Sequence, residues 1–89
     1  MEITSKIDNE SAVFTLTGEL DYNSYKDFNA KVGEQIERKT PKIALIMTGV
    51  SHIDSMGLGA ITKLWKISEE GKLSLVLVDV PKNVRNMIK

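Results

Sequence analysis

Several residue types that carry common protein chemistry are absent or scarce in this 89-residue sequence. There is no cysteine, which excludes disulfide bonds and thiolate metal sites. The single histidine, His52, and the scattered carboxylates show no metal-ligand spacing. No apolar run approaches the roughly 18–20 residues of a membrane span, and the N-terminal stretch is too polar for a signal peptide. We therefore expect a cytoplasmic protein with no metal, no other cofactor and no membrane insertion.

The charged residues sum to a net charge of zero but are unevenly distributed. There are eight acids and three bases up to Glu37, and four acids and nine bases from Arg38 onward. A nucleic-acid-binding protein usually has a positive total and one basic face, so direct nucleic-acid binding is not expected. Hydrophobic residues make up 42% and charged residues 27%, which is typical of a folded domain. The length predicts one domain over residues 1–89.

The hydrophobic pattern predicts elements in the order β-β-α-β-α-β-α. Two alternating segments, joined by the turn-forming residues 8–11, predict an antiparallel hairpin. Continuous apolar runs at 42–47 and 73–78 predict two strands that are buried on both faces. Because strand–helix–strand order implies parallel pairing with right-handed crossovers, we expect an α/β fold, a mixed sheet with helices packed against it. Pro81 suits the first turn of a third helix, whose packing residues would be Val84, Met87 and Ile88.

Two further helices are predicted from apolar residues at helical spacing. The narrow stripe of the first consists of Tyr25, Phe28, Val32 and Ile36. The second runs from Met56 to Glu70 and ends at Gly71. Its apolar arc is centred on Gly57, Ala60, Ile61 and Leu64. This arc spans roughly 200°, wider than the roughly 100° that a surface helix needs. The additional edge, at Leu58 and Met56, indicates either deeper burial or a surface for a partner, which could be a second copy of the chain.

The stretch HIDSMGLGAI, residues 52–61, contains the features that most invite a functional interpretation. A hydrolase nucleophile elbow, G-x-S-x-G, would need glycine at Ile53. His52 lies too close to Ser55 in the sequence to be a typical triad base. A dinucleotide-binding fingerprint would need glycine at Thr62, and there is no G-K-[ST] of a phosphate-binding loop. We therefore expect no intrinsic enzymatic activity.

The same stretch also predicts the start of a helix. Ser55 is predicted to be the N-cap, with its hydroxyl accepting from a backbone N–H near Leu58. Asp54 would add negative charge near the positive end of the helix, while Gly57 and Gly59 would allow close packing. A capped helix would account for these residues without any further role. A phosphate- or nucleotide-binding role would depend only on the two glycines and the helix N-terminus.

Three segments, taken together, resemble a known family. They are FTLTGELD at residues 14–21, VSHIDSMGLGAI at residues 50–61, and VPKNVRNMI at residues 80–88. The second contains the pattern D-S-x-G-[LI]-G. In order and spacing they resemble the STAS family, named from sulfate transporters and anti-sigma factor antagonists, over nearly the whole chain. The sequence is most similar to the small, free-standing bacterial anti-sigma factor antagonists.

The resemblance implies a regulator of transcription that works through protein–protein interaction. Such proteins, when unphosphorylated, bind an anti-sigma factor that is also a serine kinase, and so free the sigma factor. The kinase phosphorylates the serine of the D-S pair, Ser55 here, after which binding is lost until a serine phosphatase restores it. The residues expected to bind the partner are Asp21, Asp54, Ser55, Met56, Gly57 and Leu58.

A phosphate on Ser55 would add about −1.5 to −2 charges. Because backbone N–H groups at a helix N-terminus tolerate a phosphate, we expect the fold to stay nearly unchanged. The effect would fall on the interface, where the phosphate beside Asp54 and Asp21 would repel an acidic partner. A second function stays open, because STAS-type domains are also subunits of lipid-transport ATPases and stress-signalling complexes. There the same surface would bind a transporter or scaffold without a phosphorylation cycle.

Overall fold

The computed structural model describes residues 1–82 and Arg85. The elements are β1 (Glu2–Ile7), β2 (Ser11–Leu20), α1 (Tyr25–Glu37), β3 (Lys42–Ile53), α2 (Ser55–Glu69) and β4 (Ser74–Val78). The four strands form one sheet in the order β1-β2-β3-β4. The pair β1–β2 is antiparallel, and the pairs β2–β3 and β3–β4 are parallel. The predicted mixed sheet, with a hairpin followed by parallel strands, is confirmed.

The third predicted helix lies largely outside the described residues. Val84, Met87 and Ile88, which were expected to pack from it, are among the residues not described. In the described part, the Arg85 N–H donates to the Pro81 carbonyl at 3.0 Å, the spacing of one helical turn.

The hairpin turn between β1 and β2 is held by one carboxylate. Asp8 Oδ1 accepts from the backbone N–H groups of Glu10 and Ser11, both at 2.8 Å. These two backbone bonds hold the pKa of Asp8 below its ordinary value. The turn lies at the start of β2, so it is at the opposite end of that strand from the loop that leads into α1.

Both helices bury their apolar side chains against the same face of the sheet. The strand residues in the core are Ala12, Phe14, Leu16, Leu20, Ile43, Leu45, Met47 and Ile53. The helical residues in the same core are Phe28, Val32, Ala60, Ile61 and Leu64. Gly57 is also buried, so all four residues at the predicted centre of the second apolar arc face inward, as expected. Full burial of a large apolar side chain contributes about 1.5–3 kcal/mol, so this layer is the main stabilising contact of the fold.

The prediction that β3 and β4 are buried on both faces is wrong. Ala44 and Ile46 are half-buried, and Val76 and Val78 stay 38% and 37% exposed. The strands advance in one direction across the sheet, so right-handed crossovers place α1 and α2 on one face. The other face is therefore left without a helix from the part of the chain that the structure describes.

The boundaries of α2 differ from the prediction by one residue at each end. The helix begins at Ser55 and ends at Glu69, with Glu70 as C-cap. Gly71 follows with φ of 82°, a left-handed conformation that glycine adopts without strain, as predicted. Within residues 1–82, no helix has the length and apolar character needed to span a membrane.

Candidate functional site

The β2–α1 loop and the N-terminus of α2 meet at one edge of the sheet. Leu20, the last residue of β2, pairs with Ile53, the last residue of β3. Because these strands are parallel, the residues that follow each of them emerge side by side. We refer to the resulting group as the Ser55 corner, which consists of Asp21, Tyr22, Asp54, Ser55 and Met56.

Asp54, not Ser55, is the residue that caps α2. Asp54 has an extended backbone, and its Oδ1 accepts from the N–H groups of Met56 at 2.9 Å and Gly57 at 3.0 Å. Ser55 is the first residue of the helix and is exposed. The prediction of Ser55 as N-cap is therefore wrong, because the helix begins one residue earlier than expected and the Asp54 carboxylate caps it. The Leu58 N–H, near which the Ser55 hydroxyl was expected to accept, donates to the Asp54 backbone carbonyl at 2.8 Å.

The second carboxylate oxygen of Asp54 reaches the other segment of the corner. Its Oδ2 accepts from the backbone N–H of Tyr22 at 3.0 Å, across 32 positions of sequence. The pKa of Asp54 is lowered, chiefly by the Gly57 N–H, against an opposing effect of burial and with smaller contributions from Tyr22, Met56 and His52. The carboxylate therefore stays ionised at neutral pH and binds three backbone donors of its own chain.

The β2–α1 loop is ordered by its own hydrogen bonds. The Ser24 hydroxyl donates to the Glu19 carbonyl at 2.7 Å and accepts from the Asp21 N–H at 3.0 Å. The Asp21 carboxylate accepts from the Asn23 N–H at 2.9 Å, and the Asp21 backbone carbonyl accepts from the Tyr25 N–H at 2.8 Å. Asp21 is half-buried, and these bonds hold its carboxylate in a defined position within the loop.

Gly57 brings the helix against the end of β2. It is buried, and a Cβ at this position would collide with the carbonyl oxygen of Leu20 and lie 2.8 Å from the carbonyl carbon. The Asp54 N–H donates to the same Leu20 carbonyl at 3.3 Å. Only glycine at position 57 therefore allows the helix to start as close to the loop as it does.

The outward side of the corner combines a free hydroxyl with apolar surface. Met56 is 40% exposed and Tyr22 is 64% exposed. Tyr22 stacks on Tyr25, with ring centroids 6.2 Å apart and planes 23° apart. Among residues 1–82, the Ser55 hydroxyl makes no hydrogen bond that would need to be broken for its modification. Leu58, on the predicted apolar edge, is half-buried against the core.

Tyr22 is a member of the corner that the sequence pattern did not predict. One feature of the sequence could have indicated Tyr22: it directly follows Asp21, which is the last residue of FTLTGELD, a segment that resembles the family. Gly57, expected to bind the partner, is instead buried behind the exposed surface. Asp21 directly precedes Tyr22, whose N–H donates to Asp54, and Asp54 directly precedes Ser55, so the three residues lie in the two segments that meet at the corner.

The corner presents an exposed hydroxyl, two carboxylates and exposed apolar side chains. His52 is exposed on β3, where it pairs with Glu19 of β2. No cluster of three or more potential metal ligands occurs within the described part of the chain. A shallow groove runs from Ser55 along the outer side of α2, past Leu58, Gly59 and Thr62.

The comparisons with known proteins identify the family. The model of the STAS domain matches residues 2–89, and the chain belongs to the STAS domain family. No curated protein sequence matches the chain.

Solved structures of two anti-sigma factor antagonists have the same fold. SpoIIAA of Bacillus in its unphosphorylated form is 22% identical over 97% of this chain and 80% of that chain, with a TM-score of 0.81. Its phosphorylated form also has a TM-score of 0.81, at 22% identity over 97% of this chain and 79% of that chain. A putative anti-sigma factor antagonist from Thermotoga maritima is 23% identical over 97% of this chain and 74% of that chain, with a TM-score of 0.81.

A transporter contains a similar domain. The murine anion transporter Slc26a9 is 27% identical over 93% of this chain but only 14% of that chain, with a TM-score of 0.68. The similarity therefore covers a small part of a much longer protein.

Proposed function

We propose that this STAS domain is an anti-sigma factor antagonist that is switched by phosphorylation of Ser55. In the unphosphorylated state it binds an anti-sigma factor serine kinase in the cytoplasm and so releases a sigma factor for transcription. The observation that carries this proposal is the exposed Ser55 hydroxyl in the first turn of α2, at a corner whose geometry is held by other residues. The fold shared with SpoIIAA, solved in both phosphorylation states, supports the assignment.

The surface around Ser55 suits a protein partner better than a small molecule. Exposed aromatic and methionine side chains are enriched at protein–protein interfaces, and Tyr22 and Met56 supply them here. The groove that begins at Ser55 is open rather than enclosed, and the half-buried Asp21 adds a carboxylate to the corner. The proposed partner-binding residues are Asp21, Tyr22, Asp54, Ser55, Met56, Gly57 and Leu58, of which Asp54 and Gly57 contribute by shaping the surface rather than by contact.

Phosphorylation would act on the interface rather than on the fold. Ser55 lies outside the core, so a phosphate there displaces no buried side chain. The N–H groups of Met56 and Gly57 already bind Asp54, so the phosphate does not find these donors free. It would instead place about two negative charges beside an ionised carboxylate, in the area that the partner must cover. A serine phosphatase would remove the charge and restore binding.

Mapping the phosphorylated residue tests this proposal. The protein is incubated with an anti-sigma factor kinase from its source genome and ATP, and the modified residue is identified by mass spectrometry. We expect phosphate on Ser55, and none in Ser55→Ala. A matched control is Ser51→Ala, which removes another exposed serine near the end of β3 and should leave phosphorylation intact.

Binding measurements with the same variants complete the test. Ser55→Ala should bind the kinase as tightly as the unphosphorylated wild type, whereas Ser55→Asp should bind it more weakly. Equal affinity of these two variants, or no phosphate on Ser55 with any such kinase, would contradict the proposal.

The similarity to Slc26a9 favours one second candidate. In that case the chain would be a STAS-type subunit that binds a transporter, such as a lipid-transport ATPase, or a stress-signalling scaffold. The corner would then serve binding without a phosphorylation cycle. Co-purification of transporter or scaffold subunits with the tagged chain, unaffected by Ser55→Asp, would support this second function over the first.

A further inference from the structure

We propose that Asp54 is a positioning residue, whose carboxylate holds the β2–α1 loop against α2 so that the partner meets Asp21, Tyr22 and Ser55 as one surface. The identity of the partner rests on the function proposed above. The positioning itself rests on the geometry of the carboxylate.

The two oxygens of Asp54 have separate roles. Oδ1 accepts from Met56 and Gly57 and so caps α2. Oδ2 accepts only from Tyr22, in the loop. Within residues 1–82, this is the one hydrogen bond found between residues 21–24 and residues 54–57. The Asp54 N–H also donates to Leu20 at the end of β2, but of the described residues 21–24 only Tyr22 is hydrogen-bonded to the helix start, through this single oxygen.

The direction of these bonds separates Asp54 from the residues that face a partner. A carboxylate that accepts three backbone N–H groups of its own chain is stabilised as an anion and has both oxygens bound to donors of that chain. A partner that displaced the backbone donors of either oxygen would break the cap or release the loop. The effect of Asp54 on binding is therefore exerted through the placement of Tyr22 and Ser55.

Asp54→Asn separates the two roles. Asparagine is as good an N-cap as aspartate, but its side chain has only one acceptor oxygen. We expect the cap on α2 to persist and the bond to the Tyr22 N–H to be lost. Backbone amide hydrogen exchange at Tyr22 should become at least about tenfold faster, since a charge-assisted hydrogen bond is removed. Exchange at Gly57 should change little.

The functional consequence is measured with the same variant. The affinity for the kinase should fall, and in the phosphorylation of Ser55 the KM should rise more than kcat falls, because the hydroxyl itself is intact. We do not expect added salt to restore the affinity or the kinetic constants, because the lost hydrogen bond lies within the chain.

Two variants serve as controls. Tyr22→Ala keeps the backbone N–H, so protection of the amide at position 22 should persist while the exposed aromatic surface is lost. Asp8→Asn removes the equivalent carboxylate at the hairpin turn, at the other end of β2. It should speed amide exchange at Ser11 and leave the affinity for the kinase unchanged.

Two results would overturn the inference. Unchanged exchange at Tyr22 in Asp54→Asn would show that the loop is not held by this carboxylate. Faster exchange with wild-type affinity and KM would show that the attachment does not serve the partner. If wild-type protein neither binds such a kinase nor is phosphorylated by one, the proposed function fails, and the exchange rate at Tyr22 still decides whether Asp54 positions the loop.

Discussion

Two glycines in the first turns of α2 have opposite surroundings. Gly57 is buried, and a Cβ there would overlap the backbone of Leu20. Gly59 is exposed, and a Cβ there would meet no atom within 4 Å. The inner side of the helix start is therefore determined by contact with β2. On the outer side, nothing in the described chain requires a glycine.

This difference separates residues that build the corner from residues that it presents. A glycine inside a helix costs roughly 0.5–1 kcal/mol relative to alanine. At Gly57 the cost is offset by the close approach that places Ser55 beside the loop. At Gly59 no atom of the described residues comes close enough to require glycine, yet this residue lines the groove that begins at Ser55. We therefore expect Gly59 to serve the approach of a partner along the outer side of α2.

The largest effect is expected for Gly57→Ala. The new methyl group would have to displace backbone rather than a flexible side chain, because the nearest atom is the Leu20 carbonyl oxygen. We expect a loss of about 2–4 kcal/mol in the free energy of unfolding, measured by urea denaturation. A loss below about 0.5 kcal/mol, the range of a neutral surface change, would show that the helix start can move away from β2 at little cost.

A smaller effect of opposite sign is expected for Gly59→Ala. Because there is open space at this position, the variant should be more stable by up to about 1 kcal/mol, while its affinity for the kinase falls. Gly33→Ala in α1 is the matched control, since a Cβ at Gly33 also meets nothing within 4 Å. It should gain similar stability without loss of affinity. If both variants bind alike, Gly59 does not contact the partner.

Acid should weaken the corner and the hairpin turn in the same pH range. The pKa of Asp54 and that of Asp8 are both lowered in the folded state from 3.8. Each carboxylate thus contributes stability that is complete above that value and is lost as the pH falls through its folded-state pKa. Urea denaturation at a series of pH values below about pH 5 should show the loss.

Variants assign that acid dependence to the two regions. Asp54→Asn and Asp8→Asn should each make the decline in stability less steep, and the double variant less steep still. A decline as steep in the double variant as in wild type would show that neither carboxylate is responsible.

The smallest effect on stability is expected for Met56→Ala. This side chain is on the outer side of the corner, so its removal should change the free energy of unfolding by less than about 0.5 kcal/mol. The affinity of the Met56→Ala variant for the kinase should nevertheless decrease, because an exposed apolar contact is lost. Val76→Ala, at a similarly exposed residue on the sheet face opposite α1 and α2, should not affect binding. If the two variants bind the kinase with equal affinity, Met56 does not belong to the interface.

Local pattern was sufficient for most of the fold. The inward face of α2 was predicted residue by residue, because a period of 3.6 depends only on the chain itself. The positions of the strands were predicted correctly, but their burial was not. Val76 and Val78 belong to an apolar run of the kind that is also found in strands covered on both faces. Which faces are covered depends on the handedness of both crossovers, which no single segment specifies.

The site divides in the same way. Asp54 and Ser55 are both good N-cap residues, so propensity alone could not choose between them. The choice follows from where β3 ends and how closely Gly57 approaches β2, both of which are long-range contacts. Tyr22 joins the corner for the same reason, through a register that pairs Leu20 with Ile53.

The sequence by itself determined the order of elements, the inward helix faces and the segment that contains Ser55, because each depends on neighbours along the chain. Only the tertiary structure decided that Asp54 caps the helix, that its second oxygen accepts from the Tyr22 N–H, and that Ser55 is exposed. Those three outcomes depend on two parallel strands ending side by side, so that a single carboxylate can reach donors from both segments.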